Sequence, residues 1–243
     1  MAFERRNRTH ASRLVVVVAC LLLGIGQAHA QSSDVSKLPW FESMLTRGRD
    51  FCSGQCAVHV YGGAATTTSM TSMFALDDVA TFAPEKFVPP WDWDFTGSGL
   101  IAGALSRRLL TIASVIEFEG EVGIGQRFGH MHETEFWAAL YARWTWFPWN
   151  HILRTSIATS TGLSFATGVP WPERERDDRR RGSKLLHFFS PEIALGLPSH
   201  PAWDLVARIH HRSGARILFG DTALFHGVDG GTHFATLGIR YRF

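Results

Sequence analysis

A net charge of only +2 at pH 7 on 243 residues removes the electrostatic case for a nucleic-acid partner. No RNP, zinc-finger or P-loop pattern reopens it. Cysteine is scarce, three in all, and no His or Cys cluster with zinc spacing accompanies it, so neither a metal nor a cofactor is implied. Beyond residue 30 there is no run of the roughly 18 apolar residues that a transmembrane helix needs. What the chain has instead is apolar and aromatic bulk, 45% hydrophobic residues with nine Trp and eighteen Phe, at a length that suits one domain.

The first thirty residues read as a secretory signal that is removed. Arg5, Arg6, Arg8 and Arg13 form a basic region, Leu14 to Ile25 an apolar one, and Ala28-His29-Ala30 a small-x-small cleavage site before Gln31. A lipoprotein box at Val17-Val18-Ala19-Cys20 ranks below this, because the apolar run continues through Leu21 to Ile25. After cleavage Cys52 and Cys56 remain, and in an exported chain such a close pair is expected to close a small disulfide loop. The domain reading is therefore a signal over 1–30, a periplasmic segment over 31–56 and a barrel over 57–243.

The barrel follows from alternation. A membrane-spanning β-barrel shows segments of about ten residues, apolar outward and polar inward, separated by turns. From Ile116 to Arg127, Ile116, Phe118, Val122 and Ile124 share one face and Glu117, Glu119, Glu121 and Arg127 the other. From Glu135 to Trp146, Phe136, Ala138, Leu140, Ala142, Trp144 and Trp146 oppose Glu135, Tyr141, Arg143 and Thr145. Thr155 to Ala166, Lys184 to Leu197, Trp203 to Ser213 and His233 to Phe243 continue the pattern, with Pro191 marking a bulge or bend. Ala57 to Thr67 and Ser98 to Arg108 complete an all-β, eight-stranded antiparallel outer-membrane barrel with periplasmic termini.

Apart from the third connection, loop lengths fit this count, long outside and short inside. Outside connections fall at Thr68 to Gly97, Phe128 to Thr134, Gly168 to Ser183 and Gly214 to Thr232; inside turns fall near Arg108 to Thr111, Pro148 to His151 and Pro198 to Pro201. Trp144, Trp146, Phe147 and Trp149 then form an interfacial girdle, and the terminal Phe243 resembles the C-terminal signal of bacterial outer-membrane barrels. Eight strands enclose a lumen that side chains just fill, so Glu117, Glu119 and Glu121 need inward cations, for which Arg143, Arg208, Arg240 and Arg242 have the parity. The charge run Glu173 to Arg181 is expected to be a solvated loop, with lipopolysaccharide phosphates as the sharper alternative for its arginines. Trp91-Asp92-Trp93-Asp94 is read as a packed loop or a headgroup contact.

One polar cluster falls on the lipid face. Leu205, Ala207 and Ile209 share parity with His211 and Ser213, while Arg208, His210 and Arg212 point inward. Counting back from Phe243, the outward set of the last strand ends at His233, and His187 has outward parity on the neighbouring strand. Polar groups at the membrane surface are costly without partners. A Ser hydroxyl becomes a nucleophile when a base takes its proton and a third group orients the base.

On Ile209-His210-His211-Arg212-Ser213 the chain resembles the PagL-type lipid A 3-O-deacylases, eight-stranded outer-membrane barrels with a His-x-Ser-Asn motif facing the outer leaflet. The resemblance implies His211 as base, Ser213 as nucleophile and an outer-leaflet lipid such as lipopolysaccharide as partner. Gly214 stands in place of the family's Asn, which leaves the oxyanion to backbone N–H donors. Thr232 or His233 stands where the family has Glu, so His233 or Asp229 becomes the orienting group. The expected function is hydrolysis of an acyl ester of lipid A or a related glycolipid. The competing expectation is a non-enzymatic barrel serving as anchor or adhesive surface, and a homodimer is left open.

Overall fold

A computed structural model describes residues 51–76, 81–175, 182–215, 225, 228 and 231–243. The expected signal, and residues 31–50 of the expected periplasmic segment, lie outside them. The strands are β1 (Cys56–Thr66), β2 (Phe95–Ile112), β3 (Ile116–Phe128), β4 (Thr134–Trp144) and β5 (Arg154–Ala166), then β6 (Leu185–Phe189), β7 (Glu192–Gly196), β8 (Trp203–Ser213) and β9 (Gly231–Arg242). Two short helices, α1 (Met70–Met73) and α2 (Trp171–Glu175), lie in the connections.

All pairings are antiparallel between neighbours, and β1 pairs with β9 from Ala57↔Arg242 to Ala65↔Phe234, which closes the sheet. β6 and β7 occupy a single place in the ring, since both lie between β5 and β8. The ring is therefore eight-stranded. The break falls at Ser190–Pro191, where proline has no N–H for the ladder, while its carbonyl still accepts from Ile209 N at 3.0 Å.

Inside and outside are inverted relative to a water-soluble barrel. Leu140 is 57% exposed while the next residue, Tyr141, is 1% exposed. Val122, Ile124, Phe136, Ile157, Leu163, Leu205 and Leu237 also stand outward and exposed, whereas Glu121, Arg143, Ser164, Glu192 and Arg208 are buried. A closed ring with an apolar exterior satisfies its backbone within itself, which is the condition for a β-structure to span lipid. The architecture is that of an outer-membrane β-barrel.

Side chains fill the lumen. Nearer the termini, Arg208 Nη1 and Nη2 donate to the two oxygens of Glu121, each at 3.0 Å, and Arg143 binds Glu119 in the same forked way at 3.0 Å. Glu192 joins Arg143 at 2.8 Å and also contacts Arg208. An aromatic layer follows, with Trp137 stacked on Phe188 at 5.6 Å and both edge-on to His210 at 4.9 Å. At the far end Arg127 pairs with Glu135, which also accepts from Ser164 Oγ at 2.6 Å and meets His210 Nε2 at 3.2 Å.

Several expectations need correction. Arg108 to Thr111 is not a turn: β2 runs on to Ile112, a bulge beside Leu109 absorbing one residue, and the reversal is made at Ala113 and Ser114, whose φ values are 49° and 59°. No Gly or Asn flags that left-handed pair, so the apolar Leu109, Leu110 and Ile112 are what extend the strand. β4 ends at Trp144 instead of Trp146. Glu117 pairs with Arg108 at 2.9 Å, and Arg240 and Arg242 turn to Asp204. Glu173 is not solvated: it is fully buried in α2, inside the mouth of the barrel. Arg174 and Glu175 are exposed, while the rest of that run lies outside the described residues. The disulfide Cys52–Cys56 is formed. Trp93 packs into its loop with its Nε1 on Val88 O at 2.8 Å, and Trp91 stands 82% exposed.

Candidate functional site

The register of β6, β8 and β9 assembles the outward cluster in two rows. In one row His187 pairs with Ser213, which pairs with Gly231. In the next, Phe189 pairs with His211, which pairs with His233. Alternation puts all of these on the outer face, because Arg212 and Thr232, between them, point into the lumen with 0% and 3% exposure. Both rows lie at the end of the barrel opposite the termini.

Gly231 shapes the space between base and hydroxyl. A Cβ there would sit 2.8 Å from Ser213 Cβ and 3.2 Å from His211 Cε1. With Arg212 O at 2.7 Å as well, the His211 ring edge and the Ser213 side chain both pack directly against Gly231, with no room for a side chain there. Two residues apart on a strand are roughly 6.5 Å apart, so this lean of the ring across β9 is what brings the imidazole toward Ser213. The Ser213 hydroxyl accepts the Ala215 N–H at 3.3 Å, with Ala215 in the left-handed region at φ 50°.

His233 is fixed from the other side. Its Nε2 lies 2.6 Å from Thr68 O, and since a carbonyl only accepts, Nε2 carries the hydrogen. Nδ1 is the ring nitrogen that Thr68 does not engage. The His211 and His233 rings are 5.5 Å apart at 45°. His187 Nε2 lies 2.9 Å from Thr161 Oγ1, with the Phe225 ring edge-on at 6.4 Å. Although these imidazoles have lipid-facing parity, His187 and His233 are only 4% and 3% exposed. Thr68 and Phe225, from the connections, cover them.

The expected site residues therefore divide. His211, Ser213 and His233 come together on one face. Asp229 lies outside the described residues. Gly214 is buried against the neighbouring connection, where an added Cβ would overlap the Val228 carbonyl. Sequence reasoning did not find Gly231, Thr68, Thr161 or Phe225. Of these only Gly231, adjacent in sequence to Thr232 and His233, left a local sign. Among the described residues no group of three His, Cys, Asp or Glu side chains could hold a metal ion.

The fold and this cluster define a class, a closed eight-stranded barrel with a polar cluster on its outer face. No family model matches the chain, and no curated protein matches it. Among solved structures it is similar to the outer membrane enzyme PagL, at 13% identity and a TM-score of 0.43, covering 75% of this chain and 97% of that one. It is also similar to Neisserial surface protein A, at 9% identity and 0.45, covering 78% and 97%. The N-terminal β-barrel domain of Pseudomonas aeruginosa OprF follows at 12% and 0.41, covering 78% and 98%. These likenesses concern the barrel fold alone.

Proposed function

We propose that the protein is an outer-membrane esterase that removes an acyl chain from lipid A or a related outer-leaflet glycolipid. The observation that carries the proposal is the convergence of the His211 ring and the Ser213 side chain on Gly231, at a face whose parity is toward lipid. An ester whose acyl chain lies in the surrounding lipid approaches that surface from the membrane itself, with no pocket needed.

Ser213 Oγ bonds to the ester carbonyl carbon as its proton passes to His211. His233, held by the Thr68 carbonyl, orients His211 and stabilises the imidazolium. The tetrahedral oxyanion is left to the backbone N–H of Gly214, since that of Ala215 is given to the Ser213 hydroxyl. Collapse breaks the bond to the sugar oxygen, which takes the proton from His211. Water, deprotonated by His211, then releases the fatty acid and restores Ser213.

A second reading keeps one specific observation in its favour: the described partner of the Ser213 hydroxyl is the Ala215 N–H, a turn-closing contact that an inert barrel would also make. Mass spectrometry of lipid A separates the two. Cells making the wild type are expected to lose one acyl chain from lipid A, and cells making Ser213→Ala to match cells without the protein. Identical profiles in all three would leave the anchor or adhesive reading standing.

A further inference from the structure

Glu173 belongs to none of the chemistry above, yet it sits directly behind it. Its Oε1 accepts from Thr232 Oγ1 at 3.1 Å and lies 3.0 Å from Arg212 Nε and 3.9 Å from Arg127 Nη1. Arg212 and Thr232 are cross-strand partners. They are also the residues between His211 and Ser213 on β8 and between Gly231 and His233 on β9. One oxygen inside the barrel therefore grips, from behind, the pair whose sequence neighbours form the outward cluster.

We propose that Glu173 is a positioning residue for the outward Ser-His site, clamping the Arg212–Thr232 pair so that His211 and Ser213 keep their places against Gly231. The inference rests on the esterase reading and adds to it a luminal support. Side chains on a strand alternate, so a rotation of the strand that lets Arg212 drift inward carries His211 and Ser213 with it. Reaction geometry tolerates little of this: a misplacement of about 1 Å costs on the order of 100-fold in rate.

The anchorage is firm on both sides. Arg212 Nη2 donates to Ser183 O at 2.8 Å and Lys184 O at 3.1 Å, so the clamp also holds the entry to β6, the strand of His187. Trp171 packs α2 onto the aromatic layer of the lumen. Glu173 Oε2 has no hydrogen-bond partner among the described residues. The device is thus the Oε1 acceptor, and an amide oxygen in the same place can replace it.

That equivalence gives the test. The refolded full chain is assayed with purified lipopolysaccharide for fatty-acid release, comparing wild type, Ser213→Ala, Glu173→Ala, Glu173→Gln and Thr232→Val. Glu173→Ala is expected to lower kcat by about 10- to 100-fold with KM within about twofold. Glu173→Gln should stay within about threefold of wild type, and Thr232→Val, which removes one donor at constant shape, should lose several-fold. Hydrogen exchange at the backbone amides of residues 211–213 and 231–233 should quicken in Glu173→Ala and not in Glu173→Gln. An inactive Ser213→Ala beside a fully active Glu173→Ala overturns the clamp and leaves the esterase intact. Equal losses in the Ala and Gln variants overturn it too, since charge and not the acceptor would then be required. If Glu173→Ala does not fold, an unchanged kcat in Thr232→Val overturns it. A Ser213→Ala that matches an active wild type removes the esterase reading and the clamp together.

Discussion

The two faces of the β8–β9 pair carry equally polar residues and treat them in opposite ways. On the luminal face Arg208, Arg212 and Arg240 each meet a carboxylate, of Glu121 and Glu192, of Glu173, and of Asp204. On the outer face His233 and His187 are held by neutral oxygens, of Thr68 and Thr161, beside a glycine against which His211 and Ser213 pack. Buried charges inside are paired because an unpaired one is costly. The outer cluster has no comparable structural need for a serine and an imidazole side by side. Stability is expected to reside in one face and chemistry in the other.

The largest effect should come from the outer face. Ser213→Ala is expected to lower the rate of fatty-acid release by about 10⁴-fold or more, while its unfolding free energy in urea stays within about 0.5 kcal/mol of wild type. Arg208→Ala should do the reverse, leaving Glu121 and Glu192 short of a cation and costing about 3–5 kcal/mol. Urea titration of the two refolded variants decides this. If Ser213→Ala destabilised the barrel as much as Arg208→Ala, the contrast between the faces would collapse.

A smaller effect, aimed at the packing on Gly231, is expected from Gly231→Ala. The new methyl would meet Arg212 O at 2.7 Å and Ser213 Cβ at 2.8 Å as well as His211 Cε1 at 3.2 Å, so β8 and β9 must move apart locally and displace the site. That displacement should reduce kcat by about 100-fold, with the barrel still folded. Fatty-acid release at the wild-type rate would mean that the close packing on Gly231 has no part in catalysis.

The barrel was legible because membrane strands alternate over many residues, and eight alternations leave little freedom in register. Even the break at Pro191 showed, through the one property a ladder cannot tolerate. The outward placement of His211, Ser213 and His233 followed from the same parity. What stayed hidden depends on contacts between distant segments. Thr68 O reaches His233 across 165 positions in sequence, and Glu173 lies in a charge run whose composition points to solvent. A mixed-charge stretch does not reveal which of its members is turned inward. The reversal at Ala113 and Ser114 was hidden for a local reason, since neither residue advertises a left-handed conformation.

Glu173 also supplies an expected effect on the luminal side of the comparison. Burial pushes its carboxyl up to about 7, with Arg212 and Arg127 pulling it down and Glu135 pushing further up. Arg212 and Thr232 face it from β8 and β9, Arg127 from β3 and Glu135 from β4. With the folded value above the ordinary 4.5, the folded state holds more protons than the unfolded one between those two values. The stabilisation from docking α2 is therefore complete below about pH 4.5 and is lost as pH rises through about 7. Glu173→Gln, which copies the protonated form, should lack this dependence. Hydrogen exchange of the amides of residues 171–175, expressed as the ratio of wild type to Glu173→Gln at each pH, removes the intrinsic pH dependence of exchange. That ratio should be only a few-fold at pH 5 and rise to on the order of 100-fold or more at pH 8. A ratio that stays flat would mean that Glu173 is ionised throughout, and its Oε1 would then hold Arg212 as one half of an ion pair and not as a neutral acceptor.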